Sequence, residues 1–376
     1  LVRSRGLGDV YKRQDQLLET DPVNISSKLG RSVSVFKNGE PGKIIQDINQ
    51  TRKDIGEYLF IEELGLIGIG VNKSKVEQKL FVVRKSTEGR ALPESVAVPQ
   101  IKKSVYNKIV MITGGAQGFG EGIARNLFKL GANIIIGDIN SEKGEALVRE
   151  LNEQKTPNRA LFVKVNVADP ISVDEAVAEV VLEYGGMDVM ISNAGILKAG
   201  SLEEMDPDDF NMVTRVNYSG FFHCTRSASR VMKLQNRYNK NNYSDIIQIN
   251  SKSGLSGSKK NFAYAGGKFG GIGLVQSFAL ELISDRIKVN AICPGNYFEG
   301  PLWSDPRDGL FVQYLEAGKV PGAKSVAEVK KHYESMVPAG RGCQPEDVVK
   351  AILYVIDQEY ETGQAVPVTG GQVMLK

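Results

Sequence analysis

Tyr264 and Lys268 stand four residues apart in Tyr264-Ala265-Gly266-Gly267-Lys268, thirteen residues after Ser251. Residues four apart on a helix share a face, so this spacing brings a phenol and an ammonium together. A free tyrosine titrates near ~10, too high for acid–base work at neutral pH. A neighbouring cation favours the phenolate and is expected to pull that value down. The product is a phenol able to pass a proton to and from an alcohol or ketone oxygen. Taken alone, the pair is equally an ordinary surface Tyr–Lys contact; its weight comes from the elements around it.

Those elements begin upstream. Lys108-Ile109-Val110-Met111-Ile112 is short, apolar and β-branched, and reads as a buried strand. Thr113-Gly114-Gly115-Ala116-Gln117-Gly118-Phe119-Gly120 follows, then Ile123, Ala124, Leu127, Phe128 and Leu130 at helical spacing, with Gly131 as the stop. Asn133 to Asp138 is a second apolar strand, ending in an acid. Strand, glycine loop, helix, strand and acid form the context of a dinucleotide fingerprint. The glycines let backbone N–H groups approach a pyrophosphate at the positive end of a helix. Asp138 lies eighteen residues after Gly120, where a carboxylate accepts hydrogen bonds from the ribose hydroxyls and repels the extra phosphate of NADP. Ile139 and Asn140 supply no cation for that phosphate, so NAD is the expected cofactor.

Alternation continues downstream. Helices are expected over 142–153 and 172–184. Strands are expected over 161–167, 188–192, 245–250, 287–292 and 365–368. The implied fold class is α/β: a Rossmann-like, doubly wound parallel sheet with helices on both faces and ligands beyond the carboxyl ends of the strands. The glycine-rich helix predicted over 262–282 would be costly in isolation, which points to close helix–helix contact.

Together these residues resemble the short-chain dehydrogenase/reductase family from about Val105 to Lys376. Thr113, Gly114, Gly118 and Gly120 fit its glycine pattern. Asn166-Val167 stands where the family places an Asp-Val pair against the adenine, and Ser192-Asn193-Ala194-Gly195 resembles its Asn-Asn-Ala-Gly motif. The resemblance implies a catalytic tetrad of Asn217, Ser251, Tyr264 and Lys268. It implies cofactor contacts from Gly114, Gln117, Gly118, Phe119, Gly120, Asp138, Asn166, Val167, Asn193, Ala194, Gly195, Tyr264, Lys268, Pro294 and Gly295. Tyr264 would be the acid–base group, Ser251 would hydrogen-bond the substrate oxygen, Lys268 would hold the nicotinamide ribose, and Asn217 would support a water chain. A Thr common soon after Pro-Gly is replaced by Asn296-Tyr297-Phe298-Glu299, which puts that contact to the carboxamide in doubt. Pairing of the glycine-rich helices across subunits implies a homodimer or homotetramer.

Strings such as Ile249-Asn250-Ser251-Lys252-Ser253-Gly254, Arg341-Gly342-Cys343 and Val368-Thr369-Gly370-Gly371-Gln372-Val373-Met374 resemble a polyol-phosphate branch of that family. The implied reaction interconverts sorbitol 6-phosphate and fructose 6-phosphate. Lys252, Lys259, Lys260 and Arg341 are candidate phosphate contacts, Arg341 in a two-pronged grip. A lid is expected between Asn296 and Gly340, with Tyr297, Phe298 and Trp303 either lining the substrate site or packing the lid itself. The alternatives are an unphosphorylated polyol, a lactaldehyde-type substrate, or a non-catalytic dinucleotide-binding protein.

Bulk properties narrow the partners. The net charge of +3 equals the excess contributed by Arg3, Arg5, Lys12 and Arg13 over Asp9, so no basic stripe suggests nucleic acid. Cys224, Cys293 and Cys343 have no metal or disulfide spacing, which suits a reducing cytoplasm. His223 and His332 are the sole histidines, an argument against a zinc-dependent dehydrogenase and for no metal. No apolar run is long enough to span a bilayer. Residues 1–14 resemble a translated adapter read-through and are set aside, which would make the chain a fragment. Residues 15–84, with strands over 32–36, 58–61 and 64–70 and a helix over 74–83, resemble the end of a class II aldolase/adducin domain or form a plain extension. Residues 85–104 read as a linker and 105–376 as the dehydrogenase domain.

Overall fold

The computed structural model describes residues 104–374, apart from 155, 239–241, 308 and 317, together with four short strands nearer the amino terminus. Those strands are β1 (Asp9–Tyr11), β2 (Val33–Phe36), β3 (Tyr58–Ile61) and β4 (Gly65–Gly70), in the order β1-β4-β3-β2. β1 falls in the stretch set aside as read-through, and it pairs antiparallel with β4. The expected helix over 74–83 and the linker over 85–103 lie outside the described residues.

The main sheet has seven strands. They are β5 (Ile109–Thr113), β6 (Asn133–Asp138), β7 (Ala160–Lys164), β8 (Val189–Ser192), β9 (Ser244–Ile249), β10 (Ile287–Pro294) and β11 (Ala365–Val368). Their order is β11-β10-β9-β8-β5-β6-β7, and every pairing is parallel. Strands buried on both faces need continuous apolar runs, and β5, β6, β8, β9 and β10 are buried at every position. Chain direction across the sheet reverses between β5 and β8, which opens a crevice at the carboxyl edge.

Helices α1 (Gly118–Lys129), α2 (Ser141–Glu153), α3 (Pro170–Tyr184), α4 (Pro207–Thr214), α5 (Gly220–Tyr238) and α6 (Phe262–Leu282) follow in chain order. A π-helical turn, Arg215–Ser219, joins α4 to α5. After β10 come the short helices α7 (Pro301–Ser304), α8 (Leu310–Glu316) and α9 (Val326–Ser335), then α10 (Pro345–Asp357). Two apolar clusters fill the two faces of the sheet. One gathers Ile123, Leu127 and Phe128 of α1 with Ile352 and Val355 of α10; the other gathers Val177 of α3, Phe221 of α5 and Val275 of α6.

One strand is shorter than its apolar run suggests. β7 stops at Lys164, because Asn166 turns the chain: its side-chain oxygen accepts from Ala168 N–H and its carbonyl from Asp169 N–H. Asn166 and Val167 therefore sit on a loop beyond the strand.

The glycines of α6 have a specific cause. A Cβ at Gly271 would meet the Gln248 side chain of β9 at 2.5 Å, and one at Gly270 would meet the Tyr218 ring of the π-helical turn at 2.8 Å. Close approach to the sheet as well as to a helix thus requires the missing side chains, while Gly266 and Gly273 face open space.

Candidate active site

The glycine loop runs from the end of β5 into α1. Gly114 and Gly118 have φ of 61° and 60°, a left-handed conformation that glycine adopts at little cost. A Cβ at Gly120 would lie 2.0 Å from the Gly114 carbonyl oxygen, so only glycine lets the first turn of α1 fold back on the loop. Gln117 precedes α1 and provides no side-chain cap, leaving the backbone N–H groups of the first turn available to an anion. These features fit a bound pyrophosphate.

The loop is clamped to the chain after β8. Thr113 Oγ1 accepts from Asn193 N–H at 3.1 Å and Ala194 N–H at 3.2 Å, while Asn193 Nδ2 donates to the Thr113 and Gly114 carbonyls at 3.0 and 2.9 Å. Asp138 closes the other flank: one carboxylate oxygen accepts from Ala116 N–H and the other from Asn140 N–H, both at 3.0 Å. Each oxygen keeps a lone pair for a ribose hydroxyl. Lys143 of α2 also reaches the loop, donating to Gln117 Oε1 at 2.8 Å. A reading confined to Ile139 and Asn140 overlooked this cation, which is brought near by the first turn of α2. Val167 is buried, and its carbonyl lies 2.9 Å from His223 Nδ1.

The four tetrad candidates converge beyond β8 and β9. Ser251 follows β9 and lies near the Tyr264 hydroxyl, where it favours the ionised phenol. Tyr264 and Lys268 share one face of α6, with the Lys268 ammonium 5.5 Å from the Tyr264 ring centroid. Lys268 is buried and donates to the Ile249 carbonyl at 2.8 Å. Asn217 sits in the π-helical turn, a form frequent at functional sites, where its amide accepts from Ile196 N–H and donates to Ile196 C=O, both at 2.8 Å. A Cβ on Gly195 would meet Asn217 Oδ1 at 3.1 Å and the Lys268 ammonium at 3.8 Å, which places the loop after β8 between these two groups.

Electrostatics here differ from the expectation that Lys268 depresses the Tyr264 pKa. Burial instead pushes the phenol up, with nearby Ser251 opposing the rise. Burial also brings the Lys268 ammonium down to about 8. Desolvation penalises the charged form of both groups.

Asn250 was not singled out in the sequence, yet it ties the site together. Its Oδ1 accepts from Ser251 N–H at 2.8 Å, and its Nδ2 donates to the Lys268 carbonyl at 2.9 Å and to Gln248 Oε1 at 2.8 Å. Two amides, Gln248 and Asn250, at alternate positions in and just after a wholly buried strand were the available signal.

The segment after β10 departs from one expectation. Phe298 and Trp303 are buried with Phe311, Val329 and Val337 in a cluster of their own, so they form the core of the lid and not its lining. Tyr297 alone of the three reaches the glycine loop, stacking on Phe119 with ring centroids 4.9 Å apart. Pro294 ends β10, and Gly295 N–H donates to the Val368 carbonyl. The proposed two-pronged phosphate grip is also taken: the Arg341 guanidinium spans both oxygens of Asp347 at 2.6 and 3.0 Å. Among the described residues, no group of three His, Cys, Asp or Glu could hold a metal, and no helix is long and apolar enough to cross a membrane.

Known proteins share this arrangement. The short chain dehydrogenase family matches residues 108–303. Sorbitol-6-phosphate 2-dehydrogenase of Escherichia coli is 34% identical over 274 residues, which cover 71% of this chain and 99% of that protein. The 3-oxoacyl-[acyl-carrier-protein] reductase of Thermotoga maritima is 31% identical, covering 71% and 98%. The crystal structure of sorbitol-6-phosphate 2-dehydrogenase from Erwinia amylovora superposes with a TM-score of 0.65 at 34% identity, covering 71% of this chain and all of that one. A polyketide ketoreductase solved with NADPH gives 0.62 at 27% identity, covering 72% and 99%. With a glycine-loop cradle, a phenol beside a serine and a lysine buried one helical turn on, this chain belongs to the short-chain dehydrogenase family and binds a nicotinamide dinucleotide.

Proposed function

We propose that the protein interconverts a polyol phosphate and a ketose phosphate with NAD, the pair being sorbitol 6-phosphate and fructose 6-phosphate. The observation that carries the reaction class is the convergence of Ser251, Tyr264 and the buried Lys268, whose ammonium lies 5.5 Å from the Tyr264 ring centroid. When bound, the cofactor takes or returns a hydride at the nicotinamide C4. Tyr264 removes the proton from the substrate hydroxyl during oxidation and returns it during reduction. Ser251 steadies the negative charge that develops on the same oxygen. Lys268 holds the nicotinamide ribose. The Asn217 amide, anchored on Ile196, retains one donor and one acceptor for a water that relays the proton outward.

The polyol-phosphate assignment is supported by the sorbitol-6-phosphate dehydrogenases among the relatives. NAD is supported by the Asp138 carboxylate at the ribose end. Lys143 gives NADP a specific foothold as the second reading, because its ammonium lies against the glycine loop on the side of the acid. We place the enzyme in the cytoplasm as a homo-oligomer. The open glycines of α6 and its exposed Phe269 and Leu280 form the face expected to pair with another subunit. The aldolase/adducin-like origin of residues 15–84 is retained as a proposal, and without a histidine before His223 that segment has no metal-binding aldolase chemistry.

A panel of sorbitol 6-phosphate, sorbitol and lactaldehyde, each with NAD and NADP, tests these assignments. The expected result is the highest kcat/KM for sorbitol 6-phosphate with NAD. Equal efficiency on free sorbitol would remove the phosphate from the reading, and a preference for NADP would transfer the cofactor assignment from Asp138 to Lys143.

A further inference from the structure

Four cations near the catalytic serine were candidates for an anionic substrate group, and the structure separates them. Arg341 is held by Asp347. Lys260 lies 3.9 Å from Glu204, and Lys259 is exposed. Lys252 differs from all three. It is only partly exposed, and among the described residues its ammonium has no carboxylate partner. Burial accordingly lowers its proton affinity, with no opposing charge to restore it. An ammonium withdrawn from water without a counter-ion is destabilising, and such groups persist where a ligand supplies the missing charge.

Its position adds the second observation. Lys252 immediately follows Ser251 and opens the short 3-10 turn Lys252–Gly254. Adjacent Cα atoms are about 3.8 Å apart, so the Lys252 side chain starts directly beside the catalytic serine. The backbone there is held: Ser251 Oγ accepts from Ser253 N–H at 3.1 Å, and the Lys252 carbonyl accepts from Leu255 and Ser256 N–H. The lysine therefore projects from a fixed base beside the group that binds the substrate oxygen.

We infer that Lys252 is the residue that selects a phosphorylated substrate, its ammonium receiving the phosphate monoester while Ser251 and Tyr264 engage the carbinol. This rests on the dehydrogenase reading of the same site and deepens it. The attraction is a single point charge on a flexible stem, so it discriminates by charge more than by shape. A bound dianion favours the charged form of the Lys252 side chain and offsets the desolvation that the free protein bears.

Two measurements on the full chain test this. First, kcat/KM is compared for sorbitol 6-phosphate and sorbitol in wild type, Lys252→Met and Lys252→Arg. The ratio of the two substrates is expected to fall at least tenfold in Lys252→Met, mainly through the KM for sorbitol 6-phosphate, and to recover in part in Lys252→Arg. An unchanged ratio overturns the assignment and leaves the polyol-phosphate reading standing. Second, the Tm of the NAD-saturated protein is followed with inorganic phosphate against chloride at matched ionic strength. Phosphate is expected to raise the Tm of wild type and not that of Lys252→Met; equal shifts, or none in wild type, overturn the assignment. A phosphate shift that depends on Lys252, in a protein that oxidises neither polyol, keeps the assignment and overturns the polyol reading.

Discussion

Tyr264 carries the proposed chemistry, and its environment explains why a phenol serves. Burial favours its protonated form, so the phenol holds a proton for a ketone oxygen, and Ser251 favours the opposite form that removes a proton from an alcohol. Tyr264→Phe keeps the ring and removes the proton; kcat is expected to fall by about 10²–10⁴ while NAD still raises the Tm. Activity unchanged from wild type would revive a purely dinucleotide-sensing role. Lys268 makes a separate prediction through pH. Its folded value of about 8 lies below the ordinary 10.5, so the unfolded chain holds more protons between the two. Keeping this buried group charged in the native state costs stability below about 8, and the cost disappears as pH rises through that window. In the cofactor-free protein, the Tm of Lys268→Met minus that of wild type should therefore decrease from pH 7 to pH 10. A constant difference would show that burial does not perturb the lysine.

At the scale of elements, function depends on where backbones approach closely. The cradle at the start of α1 exists because Gly120 lets the helix pass over the Gly114 carbonyl. Gly120→Ala adds a methyl group where 2.0 Å of space exists and must move the loop. The expected outcome is loss of the NAD-induced rise in Tm and about a hundredfold loss in kcat/KM, the scale of an ångström misplacement. Retained cofactor binding would mean that the loop has room the geometry does not show. The lid follows another rule. Its aromatic side chains satisfy one another, with Trp303 against Phe298, Phe311, Tyr314 and Tyr333, so it is a small core of its own, and Tyr297 on Phe119 links it to the cradle.

The whole molecule is braced at the edge of the sheet remote from this chemistry. Lys288 of β10 is fully buried, 3.0 Å from Asp245 of β9, and its ammonium donates to the Val355 and Gln358 carbonyls at the end of α10. One lysine thus joins two strands and caps a helix whose last carbonyls lack partners. Lys288→Met leaves the buried Asp245 carboxylate with Lys108 but without its ion-pair partner, and is expected to cost up to about 3–5 kcal/mol in chemical denaturation. Adding Asp245→Leu should recover much of that loss, because the carboxylate that Lys288 paired with is then gone. If the single variant is as stable as wild type, the pair contributes nothing to holding α10 on the sheet.

Local pattern already determined much of this protein. The apolar strands, the glycine loop, the acid at the end of β6 and the span of α6 were legible because each depends on residues near in sequence: β-branched runs, glycines with positive φ, and helical spacing. Three other matters were decided only by the tertiary structure. Phe298 and Trp303 became the core of the lid because Phe311 and Val329 meet them from later helices. Arg341 went to Asp347, Lys252 has no carboxylate partner among the described residues, and no spacing rule predicts which charges neutralise each other. The Tyr264 pKa rose where the Tyr–Lys spacing suggested a fall, because spacing reports proximity but not how much water the surrounding chain excludes. Proximity along one helix is encoded locally; desolvation and the pairing of charges belong to the folded whole.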